Sequence, residues 1–257
     1  MGLRLIQLIA EDPEVSLACA IERSGHRRLG EDAGTLAGLR PLGIRLLPLA
    51  ELSAVPACMI DFSHPSGTLE LARHCRERRI PLVVGTTGFQ PVERDELEQA
   101  AADIPLLISP NMSRGVNLLM RLVSEAASAL GQAADIEIVE RHHRLKKDSP
   151  SGTALKLAEI AARSAGISQF VHGREGQVGE RTSNEIGIHA VRAGDSPGDH
   201  TVIFGLMGES LELCHRASNR DGFVRGAIDA AKFLAGKPPA LYSMADVLNR
   251  EGVTPGS

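Results

Sequence analysis

Apolar positions in the first half of the chain come in short blocks, whereas the second half carries longer helical stripes and alternating strands. Residues 2–10 place Leu5, Ile6 and Ile9 on one helical face and predict a helix. Residues 15–21 form a short apolar run ending on Glu22 and Arg23, the pattern of a buried strand. Residues 57–62, 81–85 and 105–109 repeat that pattern, with a helix predicted over 67–79. Strands alternating with helices imply right-handed βαβ crossovers and a parallel sheet. Ligands of such sheets lie beyond the carboxyl ends of the strands, where Glu22, Asp61, Gly85 and Ser109 fall.

The pattern changes after Asn111. Residues 116–130 read as a long amphipathic helix, 136–139 as a strand running into a His pair, and 153–165 as a helix with a glycine at its end. Strand-like runs over 186–192, 200–206 and 210–215 then follow without intervening helices, the first two separated by the turn A-G-D-S-P-G-D. A last helix is predicted over 222–234, and the tail E-G-V-T-P-G-S is expected to fray. The fold class is therefore α/β: a Rossmann-like parallel-sheet domain, residues 1–113 with 222–257, plus a smaller α+β domain with a mixed sheet, residues 114–221.

Composition narrows the function. The 257 residues are 43% hydrophobic and 23% charged, so the chain can bury a core. Aromatics make up only 3%, and the formal net charge is −4. Both argue against a nucleic-acid surface, which needs stacking faces and a basic track. Cys19, Cys58, Cys75 and Cys214 form no C-x-x-C pair, and three of them sit inside apolar runs, where a reduced, buried thiol is the plain reading. No run reaches the ~18 apolar residues that span a membrane, and no charged-then-apolar leader is evident. A cytoplasmic protein is expected.

The chemistry concentrates in residues 140–153, E-R-H-H-R-L-K-K-D-S-P-S-G-T. His142, His143, Arg144, Lys146 and Lys147 gather cationic or titratable groups immediately before a helix start. The N–H groups of that first helical turn favour an anion, and Gly152 lets a carboxylate approach the backbone. A dianion that needs a proton would fit; a solvated basic turn capping the helix is the plainer alternative. The adjacent His residues have no third ligand at recognisable spacing, so no metal is expected.

This string resembles the signature of the dihydrodipicolinate reductase family. Further segments resemble the same family in the same order: E-R-S-G-H at Glu22, D-F-S-H-P at Asp61, G-T-T-G-F at Gly85 and S-P-N-M-S-R-G-V-N-L-L at Ser109. R-E-G at Arg174 and V-R-A-G-D at Val191 also match. The resemblance implies NADPH- or NADH-dependent reduction of 4-hydroxy-tetrahydrodipicolinate to tetrahydrodipicolinate, with loss of water, in lysine and diaminopimelate biosynthesis. It places His142 as proton donor or acceptor, Lys146 as proton donor, and His143, Gly152 and Thr153 on the carboxylates of a small dicarboxylate substrate. It places Glu22 on ribose hydroxyls, Arg23 beside a 2′-phosphate, and Gly85, Thr86, Thr87, Ser109, Pro110, Asn111 and Met112 along the nicotinamide half. A homotetramer joined through the hairpin-rich domain is also implied. Taken alone, a strand-end Gly-Thr-Thr is ordinary turn chemistry.

The match fails at one place. The family's first strand and its phosphate-binding turn, G-x-x-G-R-M-G, have no counterpart; Met1 and Gly2 align with the end of that turn. The sheet is thus expected to lack the strand around which it is wound. One reading is an active reductase whose reading frame continues upstream by about a dozen residues, making Met1 internal. A second is a homologue that keeps the dicarboxylate site but binds cofactor poorly. A third, another reductase of aspartate-derived metabolites, is disfavoured by the His-His-x-x-Lys string.

Overall fold

In the computed structural model, which describes residues 1–249, the first apolar stripe folds as α1 (Gly2–Glu11), with Ile6 and Leu8 buried. It is followed by β1 (Ala20–Ile21), α2 (Ala33–Leu36), β2 (Leu46–Leu47), β3 (Met59–Asp61), α3 (Pro65–Arg78), β4 (Leu82–Val84), α4 (Pro91–Gln99) and β5 (Pro105–Ile108). Then come α5 (Arg114–Leu130), β6 (Asp135–His142), α6 (Gly152–Ala165), β7 (Gln169–His172), β8 (Glu185–Arg192), β9 (Asp199–Leu206) and β10 (Glu209–Arg216). The chain closes with α7 (Asp221–Leu234), β11 (Ala240–Tyr242) and α8 (Met244–Asn249). The expected frayed tail lies outside the described residues.

Contacts divide the chain into two units, Met1–Arg114 with Asp221–Ser257, and Gly115–Arg220. In the first, β11, β5, β4 and β3 form a four-stranded parallel sheet. Its central strands are buried on both faces, as parallel strands are. Leu82, Val84, Leu106 and Ile108 pack with Leu69, Ala72 and Cys75 of α3, while Val83 and Leu107 pack with Ala227, Phe233 and Leu234 of α7. The expected Cys burial holds for Cys75; Cys19 and Cys58 are half-buried and Cys214 is exposed. Cys214 stands out because β10 is an edge strand of the second sheet.

The sheet is split as the sequence implied. β1 pairs with β2 in a separate two-stranded parallel sheet, and among the described residues β3 pairs only with β4. Of the run 15–21 only Ala20–Ile21 is strand, because the rest has no backbone neighbour to pair with. Side chains meet across the gap, Cys19 Sγ lying 3.8 Å from Met59 Sδ, while the backbones do not pair. α1 is docked on both sides of this gap. Ile6 packs on Ala20, Ala33 and Ala37, Leu8 packs on Val224 and Ile228, and Arg4 grips Asp221.

In the second unit the order β10-β9-β6-β8-β7 makes a mixed sheet. β6 runs parallel to β8 and antiparallel to β9. Ile136, Ile138, Ile186, Ile188, Val202 and Phe204 point to one face, where Leu157, Ala158 and Ala161 of α6 cover them. Alternation sends Glu137, Val139, His189, Val191, Thr201 and Ile203 to the other face. No described helix is long and apolar enough to cross a membrane.

Candidate active site

β6 continues three residues past the predicted strand and carries Glu140 and His142 on its helix-covered face. Glu140 is fully buried and His142 is 7% exposed. A buried carboxylate is costly unless charged and polar partners surround it, and here four donors do. Glu140 Oε2 accepts from His142 Nδ1 at 2.6 Å and from Arg192 at 2.8 Å. Oε1 accepts from the second guanidinium nitrogen at 2.8 Å and from the Ser151 backbone N–H at 3.0 Å. Burial pushes the Glu140 carboxyl up, but the Arg192, His142 and Ser151 hydrogen bonds outweigh it and hold it below the usual carboxylate range.

Arg192 also donates to the Asp148 carbonyl at 2.7 Å, and the Asp148 carboxylate holds Lys146 Nζ at 3.0 Å. That hydrogen bond keeps Asp148 ionised to lower pH than usual. His142 and Lys146 therefore sit at two ends of one hydrogen-bonded chain through Glu140, Arg192 and Asp148. The loop between them is tied to the β8–β9 turn: the His143 N–H donates to the Ser196 carbonyl and the Arg144 N–H to that of Gly194. Ser151 caps α6, its hydroxyl accepting from the Ala154 N–H at 3.2 Å. This leaves Gly152 exposed at the helix mouth, with open space where a Cβ would stand. Thr153 follows, half-buried, in the first turn.

A second wall comes from β9 and β10. The His200 ring packs edge-on to His142 with centroids 5.4 Å apart, and His215 lies beyond it at 6.4 Å. Burial, then the neighbouring imidazoles of His142 and His215, lowers His200 to about 4. Gly198, at φ +149°, backs the His142 ring: a Cβ there would fall 2.7 Å from Nε2. Glu140, Arg192, Gly198 and His200 escaped the sequence reading. V-R-A-G-D matches the family as a segment, yet nothing local shows that its arginine reaches a residue 52 positions away.

In the first unit, the Gly85 N–H donates to the Asp61 carbonyl and the Ser109 N–H to that of Val84, lining up three strand ends. Thr86 and Thr68 donate their hydroxyls to Asp61 Oδ2 at 2.7 and 2.5 Å, so Thr86 braces the loop. Gly85 is needed for packing, since a Cβ would fall 2.1 Å from the Phe62 ring. Ser109 and Asn111 are buried and bonded within their own loop. The Met112 side chain belongs to the core, and its carbonyl packs against Gly226 of α7, where a Cβ would fall 1.8 Å away. Thr87 and Pro110 are the exposed members. Glu22 and Arg23 end β1, with Glu22 Oε1 accepting from the Arg23 N–H at 2.9 Å.

Both of these residues line a cavity of about 1740 Å³, together with Met1, Gly2 and Ile6 of α1 and Met59 and Ile60 of β3. Small-molecule sites usually span roughly 300–1,000 Å³, so this one holds more than a cofactor pocket: it includes the gap between β1 and β3. An acid at a strand end, an arginine beside it and a helix start fit the ribose end of a dinucleotide.

A parallel α/β unit with a strand-end acid and a mixed-sheet unit bearing a buried Glu–His pair make a two-domain α/β fold, which an amine dehydrogenase from Mycobacterium smegmatis shares with TM-score 0.62 at 12% identity, covering 95% of this chain and 92% of that one. The chain belongs to the dihydrodipicolinate reductase family, whose N-terminal profile matches residues 1–112 and whose C-terminal profile matches 115–248. It is 47% identical over 252 residues to the 4-hydroxy-tetrahydrodipicolinate reductase of Anaeromyxobacter sp. (strain Fw109-5), covering 96% of this chain and 93% of that protein. It is 46% identical over 257 residues to that of Rhodopirellula baltica, covering 96% and 92%. The dipicolinate-bound dihydrodipicolinate reductase from Paenisporosarcina sp. TG-14 shares the fold, with TM-score 0.75, 22% identity and coverage of 96% and 95%.

Proposed function

We propose that the chain reduces 4-hydroxy-tetrahydrodipicolinate to tetrahydrodipicolinate with NADPH or NADH. The hydrogen-bonded chain from His142 to Lys146 beside the start of α6 carries this reading, because a dicarboxylate imine needs anion binding and a proton source together. When bound, the nicotinamide supplies the hydride. Glu22 and Arg23 hold the ribose end, and the loops 85–87 and 109–112 offer backbone groups to the other half. Gly152 and Thr153 receive one substrate carboxylate at the helix start, and His143 offsets the charge of the other. Hydride addition builds negative charge on the ring, which the Lys146 ammonium stabilises and can quench from Nζ. His142 exchanges a proton at Nε2 while Nδ1 stays bonded to Glu140. The open face of the five-stranded sheet, with Val139, Val191 and Ile203, supports a homotetramer joined through this unit.

A steady-state assay tests the reading. The purified chain should oxidise NADPH only when pyruvate and aspartate semialdehyde have first been condensed to the ring substrate. Thr153→Val should raise the substrate KM by the equivalent of about 1–3 kcal/mol; an unchanged KM at saturating cofactor would place the substrate elsewhere. The unpaired edges of β1 and β3 favour one second reading, a chain that holds the dicarboxylate but binds cofactor poorly. NADPH titration separates the two, since the second reading requires dicarboxylate binding without cofactor binding.

A further inference from the structure

The acceptor capacity of Glu140 is used up. An ionised carboxylate offers about four acceptor positions and no proton, and its partners are His142 Nδ1, both terminal nitrogens of Arg192 and the Ser151 N–H. Each contributes a constraint. Arg192 balances the buried charge, and its bidentate grip fixes the plane of the carboxylate. The Ser151 N–H fixes it along the axis of α6. The imidazole nitrogen facing such a carboxylate must donate, so the neutral ring carries its proton on Nδ1. Nε2, backed by Gly198, is left as the exchanging atom.

We propose that Glu140 is a positioning residue: clamped by Arg192 and the Ser151 N–H, it keeps a proton on His142 Nδ1 so that proton exchange with the substrate occurs at Nε2 alone. The proposal rests on the reductase reading for its chemistry and goes beyond it in assigning Glu140 the choice of His142 tautomer and Arg192 the hold on Glu140. Glu140 on β6 and His200 on β9 touch the ring; Arg192 on β8 reaches it through Glu140 and His215 on β10 through His200. Asp148 and Lys146 lie in the loop beyond Arg192, and Asp199 on β9 points to the other sheet face. Asp199 is engaged by Arg141 and Lys146 by Asp148. His200 is held neutral by burial and by the imidazoles of His142 and His215. Glu140 and Arg192 therefore set the charge that His142 meets.

The test is NMR of the full chain labelled with ¹⁵N at histidine, read without substrate, alongside steady-state kinetics. In the wild type the neutral His142 ring should show a protonated Nδ1 and an unprotonated Nε2. Glu140→Gln keeps the shape but loses the charge, and its amide can donate to Nδ1. The neutral ring should then carry its proton on Nε2, and kcat should fall by roughly 10²-fold or more, the scale seen when an orienting carboxylate is neutralised. Arg192→Gln frees the carboxylate but keeps its charge, and the Nδ1-protonated tautomer should remain. Structural damage alone would disturb the tautomer in both variants. A tautomer unmoved in Glu140→Gln, or lost equally in Arg192→Gln, would overturn the proposal. If the wild type turned over no substrate, the reductase reading would fail while the NMR result still decided this one.

Discussion

Replacing Lys146 by alanine removes an ammonium held 3.0 Å from Asp148 at the far end of the hydrogen-bonded chain from His142. Losing a positioned proton donor should lower kcat by roughly 10²–10⁴-fold, with cofactor affinity hardly changed. A variant with near wild-type kcat would remove Lys146 from the mechanism. At the other site, Arg23 is exposed beside the Glu22 carboxylate. Arg23→Ala should weaken NADPH use more than NADH use, because only NADPH carries the 2′-phosphate a guanidinium can grip. Equal losses in kcat/KM for both cofactors would make Arg23 a structural residue. His142 and Lys146 could be picked out from their own string because the residue types are themselves the chemistry. Glu140 stood in the same string without a role, since its meaning depends on a strand pairing that brings Arg192 alongside.

Among the elements, β9 carries a pH dependence of its own. His200 is 3% exposed and lowered to about 4 from its ordinary 6.5, so it is neutral when folded and charges more readily when unfolded. Its contribution to stability is complete above about pH 6.5 and is lost as the pH falls towards 4. A shift of this size corresponds to about 3 kcal/mol. Glu137 runs in the same sense at lower pH. Burial raises it, but Arg174, His189 and Arg181 pull it to about 2, so its contribution is present above 4.5 and disappears only at lower pH. Urea midpoints measured from about pH 7 to about pH 4.5 should fall in the wild type and flatten in His200→Gln; equal slopes would show that His200 is not the group responsible.

The elements legible in the sequence were those with a strong period. α5, α6 and α7 match within two residues at each end, as do β8, β9 and β10. α4 was missed because P-V-E-R-D-E-L-E-Q has one buried apolar residue, Leu97; a capping box between Gln90 and Glu93 and Pro91 at the start mark it instead. β2, β7 and β11 are two to four residues long, too short for a period to register.

At the scale of the molecule, the gap between β1 and β3 is the main departure from a wound parallel sheet. Two unpaired edges face a large cavity with apolar walls, a position that parallel sheets fill with a strand buried on both faces. A variant with a short apolar strand and a glycine-rich turn fused ahead of α1 should melt at higher temperature and bind NADPH more tightly. No change in either would show that the gap is not a strand site. Reductase chemistry is tested most directly by following the hydride. With NADPH deuterated at the transferring C4 position and freshly formed ring substrate, mass spectrometry should find one deuterium in tetrahydrodipicolinate for each cofactor oxidised. Cofactor oxidation without label in the product, or no turnover in a chain that binds both ligands, would contradict hydride transfer at this site.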